Sequence, residues 1–571
     1  MKVHIDADLG DINDDTAESI VSALSHHLGR HVELVGDDEE TIQSGPSTAL
    51  NSGYESQILS DREERLKEEI ADILEGGPPR GHERIGELGK LFVRDRLDRI
   101  FDEVRYECGT FASYDRDERL PADGLIAGVG TINGREVFFT ANDYTVKAGS
   151  GGHMGNEKII RMTERAAEAR KPILYLIDST GARLDSEQQH EGETHADRYT
   201  GGKSFFYQSI NSGQIPQIGV LYGPDIAGSA YTPVFCDYLI IVKEIGAMAI
   251  ASPRIVRQMI GEDVDMQSLG GWQVHARESG SVDVVVPDEA GAATAVQDLL
   301  SYLPQDHAAD LPDRPTQPPD RNPADLDLVI PEDSAAPYDV LEVIEHLVDG
   351  DSWFELKPEF APELVTGFAR IDGSPIGIVA NQPNTNSGAI FPDSAEKGAG
   401  FVWKCDAFGI PLLFLCDTPG FMIGSQVEQN GILQKGRKMI FAVSNAQVPT
   451  FCVITRKAYG AGIFAMAGPA FEPDGTLALP TAEIAVMGPD AAVRAMYAKQ
   501  IEEIDDAAER KAFIDEHKEK YRKDIRKQAS RMQVDELLPP SDLRDHLINQ
   551  LDTFADKRRV ERDRYHSSIL F

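Results

Sequence analysis

Residues 127–143 read AGVGTINGREVFFTAND, and residues 170–184 read RKPILYLIDSTGARL. Residues 366–382 read TGFARIDGSPIGIVANQ, and residues 409–422 read GIPLLFLCDTPGFM. Gly128, Gly134, Asn142, Pro172 and Asp178 match Gly367, Gly373, Asn381, Pro411 and Asp417, each 239 residues later. Further along, QIPQIGVLYGPDIAGSAY at 214–231 matches QVPTFCVITRKAYGAGIF at 447–464, with Pro216 and Pro449 at a spacing of 233 and Gly228 and Gly462 at 234. A spacing held over some fifty residues points to an internal duplication.

Each copy carries β-branched and aromatic runs that read as buried strands: REVFFTA, PILYLID and PQIGVLYG in the first, PIGIVAN, PLLFLCD and PTFCVIT in the second. Helical stretches such as NEKIIRMTERAAEARK alternate with them. Alternation of this kind predicts α/β domains with crossover connections. The expected organisation is an acidic extension at 1–55, a first domain at 56–303, a linker at 304–337 and a second domain at 338–571. The linker holds eight of the 32 prolines and is expected to be extended and weakly packed. Within the extension, VHID, then TAESIVSALSHHL, then HVELVG suggest a small strand–helix–strand unit or a partly ordered tail. A charged helix is expected over about 60–75, with Leu66, Ile70 and Ile73 at helical spacing, and mostly charged helix after about residue 500.

Across 571 residues, 56 Lys+Arg stand against 95 Asp+Glu, a formal charge of −39. Phosphate-backbone binding needs a basic face, so a general nucleic-acid role is excluded. With 41% hydrophobic residues the chain is globular, and its acidity suits a high-salt cytoplasm, where screening tolerates self-repulsion. The five cysteines, Cys108, Cys236, Cys405, Cys416 and Cys452, show no C-x-x-C pairing, and they read as small buried hydrophobes. No run has the length of a signal peptide or membrane helix, so a cytoplasmic location without membrane insertion is expected.

The candidate chemistry lies after the apolar strands. Ala227-Gly228 follows IGVLYGPDI, and Gly460-Ala461-Gly462 follows FCVITRKAY. Small residues at a strand-to-helix turn leave adjacent backbone N–H groups bare, a donor pair suited to an oxyanion. A lone Ala-Gly would read as a tight turn, but its recurrence in both copies implies two matched anion pockets.

At this point the chain resembles the β, or carboxyltransferase, subunit of biotin-dependent acyl-CoA carboxylases of the propionyl-CoA carboxylase type. The residues that carry the resemblance are Asp178–Arg183 (DSTGAR), GPDIAGSAYTP, Met259–Val264 followed by SLGGWQVH, PYDVLEVIEHLVDGDSWFEL, KAYGAGIFAM and Pro480–Gly488. It covers about residues 60–571. The resemblance implies two tandem crotonase-like (ClpP/crotonase) β-β-α superhelix domains and a site between the first domain of one chain and the second domain of its dimer partner. It also implies a hexamer built as a trimer of dimers. By the same resemblance, the amides of Ala227 and Gly228 hold the thioester oxygen of acyl-CoA, with Gly151 and Gly152 lining that side. The amides of Ala461 and Gly462 hold the ureido oxygen of biotin, with Gly460 and Phe464 in the pocket. The cofactor is biotin on a partner that supplies biotin carboxylase and carrier functions. The implied reaction moves a carboxyl group to the α-carbon of propionyl-CoA or acetyl-CoA; a decarboxylase subunit is the alternative, and a non-catalytic scaffold a distant third. Two N–H donors stabilise the charge built on a thioester oxygen, so no essential His, Glu or Cys is expected.

Two departures stand out. The first pair is often Gly-Gly in close relatives. Propionyl-type members commonly have Asp where this chain has Phe464, so acyl length does not carry over. Rival signals are weaker. Asp185–His195 offers acids and two histidines four apart, but reads as a solvated loop rather than a metal site. His153 follows a glycine-rich loop without a P-loop Lys-Ser/Thr. Asp178 and Asp417 read as caps or turn residues at strand ends. No Walker or A-M-K-M segment is present, the nearest being Arg437-Lys438-Met439-Ile440.

Overall fold

The computed structural model describes residues 32–35, 41–44, 60–183 and 201–557. The chain divides into two compact units, residues 1–72 and 73–571. In the first, Val32–Val35 pairs antiparallel with Thr41–Ser44, which places a strand within HVELVG; the strand and helix expected before it lie outside the described residues.

In the second unit the apolar runs build two sheets of the same design. In spatial order the first contains Glu103–Glu107, Leu125–Ile132, Arg135–Asn142, Ile173–Ile177, Gln217–Leu221, Tyr238–Val242 and Val284–Val286. The second contains Phe354–Leu356, Leu364–Ile371, Ser374–Asn381, Leu412–Thr418, Thr450–Tyr459, Gly475–Ala478 and Glu536–Leu537. In both, the first three strands are antiparallel and the rest parallel. The hairpins close on Asn133-Gly134 and Asp372-Gly373, all four with positive φ, as two-residue turns matching the strand twist require. Beyond the main sheets, Pro224–Ile226 pairs in parallel with Ala247–Ala249, and Lys457–Tyr459 pairs in parallel with Glu483–Ala485.

The crossover helices His153–Ala169 and Pro392–Ala407 begin 239 residues apart and end at Arg170 and Gly409, both left-handed. On them, Lys158 and Lys397, also 239 apart, are buried. Lys158 Nζ donates to the carbonyls of Ala122 and Leu125, both at 2.7 Å. Lys397 Nζ donates to those of Lys357 and Phe360 at 2.8 and 2.9 Å. Burial pushes these ammonium groups down to about 8 and about 7. Each lysine thus satisfies loop carbonyls that enter its sheet.

The linker is not weakly packed. Arg314 N donates to Gly373 O, Gly350 N to Pro318 O, and Leu326 and Ile330 are buried in the core beneath the second sheet. Its apolar residues, spaced between prolines, make it a strap. The two copies also share one core: Tyr302 of the first stacks on Phe368 of the second at 5.7 Å, and Tyr238 meets Phe368 edge-on at 6.0 Å. The expected N-terminal helix is Asp61–Leu74. The C-terminal region is broken into Ala498–Glu502, Ala507–Lys518, Ile525–Ala529 and Leu543–Phe554, interrupted by Glu536–Leu537 and Pro539-Pro540. Among the described residues no helix is long and apolar enough to cross a membrane.

A Cβ at Gly128 would collide with the carbonyl oxygen of Tyr106 on the neighbouring strand, whereas one at Gly134 meets open space at φ +73°. Gly134→Ala should lose about 1 kcal/mol through the left-handed backbone alone, and Gly128→Ala considerably more. Denaturation midpoints of the two variants check this order.

Candidate active site

Both sheets bring the same parts to the carboxyl ends of their central strands. The strands Ile173–Ile177 and Leu412–Thr418 deliver Asp178 and Asp417, each 1% exposed. These are ion-paired carboxylates and not the capping residues that the sequence suggested. Asp178 accepts from Lys90 Nζ at 2.6 Å and Arg96 Nη2 at 3.4 Å; Arg96 is held in turn by Glu289 at 2.7 Å and lies over the Tyr222 ring at 4.1 Å. Asp417 accepts from Arg456 Nε at 3.0 Å and Lys457 Nζ at 3.1 Å. Burial pushes Asp178 above its ordinary value, against the pull of Lys90 and Arg96. The cations differ in origin: Lys90 and Arg96 come from the N-terminal helical region, Arg456 and Lys457 from the adjacent strand. In the first copy Gly223 falls where Arg456 stands in the second, and a Cβ there would collide with Asp178.

An asparagine ties each carboxylate's strand to a glycine turn. Asp178 N donates to Asn142 Oδ1 at 3.3 Å, and Asn142 Nδ2 to Gly149 O at 3.2 Å. Asp417 N donates to Asn381 Oδ1 at 3.1 Å, and Asn381 Nδ2 to Gly388 O at 3.2 Å.

The small-residue turns follow the short parallel pairs, and their register corrects the sequence match. Pro224–Ile226 and Lys457–Tyr459 hold equivalent places, 233 apart, so Ala227 falls on Gly460 and Gly228 on Ala461. Gly462 therefore corresponds to Ser229 and not to Gly228. Backbone conformation agrees, since Ala227 and Gly460 are both left-handed, at φ +67° and +56°. A one-residue slip among small side chains leaves no trace in composition, whereas strand register fixes it.

Gly460 N–H is committed to Ala485 O at 3.0 Å, and Ala461 and Gly462 open the short helix Gly462–Ala465. Ala227–Ala230 forms one 3₁₀ turn, and a Cβ on Gly228 would meet open space. The first amides of such turns have no acceptor within the turn and face outward as donors. Phe464 stacks on Phe471 at 5.4 Å beside the second turn. Gly151 N–H is already spent on Gly181 O, and Gly152 is pressed against the Asp123–Arg183 ion pair. His153 opens the crossover helix.

Other sequence candidates fall elsewhere. Asp185–His195 lies outside the described residues, and among the described residues no cluster of His, Cys, Asp and Glu could hold a metal ion. Cys405, Cys416 and Cys452 are buried, and burial pushes the Cys452 thiol up to about 12. Arg437–Ile440 lies in the helix Ile432–Asn445, with Met439 buried. The sequence reading missed Lys90 and Arg96, which reach Asp178 across 88 and 82 positions, and Glu289, which holds Arg96 across 193, all without any local signal. It had quoted Arg456-Lys457 without giving them a role.

Asp225, two residues before Ala227, is 1% exposed, its Oδ1 has no hydrogen-bond partner among the described residues, and burial pushes it up to about 7. The folded chain holds a proton that the unfolded chain releases near pH 4, so this group's stabilisation falls as pH rises from about 4 to about 7, by up to about 1.4 kcal/mol per unit. The difference in unfolding free energy between wild type and Asp225→Asn should therefore move in favour of the variant between pH 5 and pH 7; parallel curves would refute it. Asp417→Asn, which leaves Arg456 and Lys457 uncompensated, should cost about 3–5 kcal/mol in thermal or chemical unfolding.

Residues 86–569 match the family model described as carboxyl transferase domain. An uncharacterized carboxylase of Bacillus subtilis (strain 168) is 47% identical over 512 residues, covering 89% of this chain and 99% of that protein. The carboxyltransferase subunit of propionyl-CoA carboxylase from Haloferax mediterranei is 37% identical over 528 residues, covering 90% and 99%. The crystal structure of transcarboxylase 12S, a hexamer with methylmalonyl-coenzyme A and methylmalonic acid bound, superposes with a TM-score of 0.81 at 35% identity, covering 90% of this chain and 99% of that one. The duplicated β-β-α architecture is the crotonase-like fold of these structures. The family match over residues 86–569, with 37–47% identity over nearly the full length of these relatives, establishes that the chain belongs to the carboxyl transferase family, as a carboxyltransferase of the propionyl-CoA carboxylase-like enzymes.

Proposed function

We propose that the protein moves a carboxyl group from carboxybiotin, carried on a partner protein, to the α-carbon of acetyl-CoA or propionyl-CoA. The observation that carries this reading is the matched pair of donor turns, each set beside a buried ion-paired carboxylate. The first turn faces the thioester oxygen, and Gly228 belongs to its donor pair whether residues are matched by sequence or by register. The second turn, through Ala461 and Gly462, faces the ureido oxygen. That oxygen is an acceptor, which two adjacent N–H groups fit, and the Phe464–Phe471 stack supplies an apolar wall for the ring. Biotin supplies the carboxyl group and the base; the chain supplies positions and fixed dipoles that meet charge developing on oxygen. No side chain of the turns has to titrate for this.

The two turns sit on different halves, and each is bordered by exposed apolar side chains: Tyr231, Val234 and Ile250 beside the first, Phe464, Val486 and Met487 beside the second. Contiguous exposed apolar residues mark interaction sites. They support a dimer in which the first half of one copy meets the second half of another, and a hexamer of three such pairs. The biotin carboxylase and carrier partner docks on the acidic surface in a cytoplasmic setting, and the excess of acid over base is an adaptation to high salt.

The assembled protein, mixed with a biotinylated carrier, biotin carboxylase, ATP and bicarbonate, should carboxylate acetyl- or propionyl-CoA faster than butyryl- or methylcrotonyl-CoA; the opposite ranking would overturn the substrate assignment. Gly228→Pro deletes a donor at a position where a Cβ meets open space, and it should lower turnover about 10²–10³-fold. Cys416→Ser should leave turnover unchanged; equal activity of the two variants would refute the donor role.

A further inference from the structure

A cavity of about 720 Å³ lies between the linker strap, the end of Thr450–Tyr459 and the region around Ile525–Ala529. None of Gly460, Ala461, Gly462 or Phe464 lines it. In a chain with 39 more acids than bases, five cations line this one space: Arg456, Lys457, Arg522, Lys523 and Arg526.

Arg456 is the informative one. Its side chain is 1% exposed; Nε is bound to Asp417, and Nη1 donates to the carbonyls of Asp333 and Ala336, both at 2.8 Å. Its Nη2 is buried and has no hydrogen-bond partner among the described residues. A guanidinium has five donors, and a buried, unsatisfied donor on a charged group is costly. The acids lining the cavity do not answer it. Glu483 accepts from Tyr459 Oη and Lys523 N, both at 2.8 Å, and Asp524 accepts from Arg526 N at 3.0 Å as a helix cap. Asp327 and Glu332 also line the space and limit how many negative charges it tolerates.

We propose that this cavity binds a phosphate- or pyrophosphate-bearing small molecule, with the Arg456 guanidinium at its base and Arg522, Lys523 and Arg526 as the cationic wall. The volume lies in the range of small-ligand sites, and arginine's planar fork suits phosphate oxygens. The proposal uses neither turn, although Arg456 and Lys457 also pair with Asp417 beside the second one.

The test titrates inorganic phosphate and pyrophosphate into the assembled full-length protein by calorimetry and thermal shift. Saturating CoA occupies any acyl-CoA phosphate site, and chloride holds the ionic strength constant. Saturable binding with a rise in melting temperature is expected. Arg522 and Arg526 are exposed, with only exposed or weak ion pairs, so Arg522→Gln/Arg526→Gln should fold normally. This double variant should bind at least tenfold more weakly while carboxyl-transfer turnover stays unchanged. Arg456→Lys, which keeps a charge for Asp417 but removes Nη2, should lose binding. Competition by ADP or by a sugar phosphate would support the proposal and name the source. Absence of saturable binding to the wild type, or equal binding by the double variant, would overturn it.

Discussion

A carboxylate removed from water at the end of a central strand in each sheet is the constraint on which the active region depends. A buried charge persists only when paired and hydrogen-bonded, and removing one partner from such a group costs several kcal/mol. Asp178 therefore fixes where the N-terminal helical region docks, because Lys90 and Arg96 must reach it. Asp417 makes the equivalent demand on Arg456 and Lys457, which lie just before the second turn. Through Asn142 and Asn381 the same strand ends hold the glycine turns at Gly149 and Gly388, where a Cβ would run into the Asp178 or Asp417 carbonyl. The proposed donor amides would thus rest on backbone that has little freedom to move, as oxyanion stabilisation requires.

Duplication preserved this frame while the surroundings diverged. The left-handed position is Gly460 in one turn and Ala227 in the other, so the first turn carries backbone strain that the second avoids. Beneath the first turn lies Asp225, and at the equivalent register position of the second stands Ala458. The two turns present similar donors over different polar foundations, in keeping with two different carbonyl oxygens.

The fold was legible because its signals are local and doubled. Strands announced themselves as apolar runs, the hairpins by Asn133-Gly134 and Asp372-Gly373, and the architecture by the spacing of 239. Asn142 and Asn381 already stood among the matched residues, although their bridging role needed coordinates. What stayed hidden depends on contacts far apart in sequence or on register. Lys90, Arg96 and Glu289 are ordinary charged residues until the fold brings them to Asp178. The one-residue offset between the turns is invisible among Ala, Gly and Ser. The linker misled because proline content reports on backbone stiffness and says nothing about Leu326 and Ile330 packing beneath the strap.

The stacking of Tyr302 on Phe368, with Tyr238 against the same ring, means that the duplication gave up modularity. The two copies complete each other's interior. A half expressed by itself would present an open aromatic face to water, and a chimera joining halves from two relatives would inherit a mismatched seam. Any recombination of acyl and biotin specificities within this family has to carry the residues of that seam along with the turns.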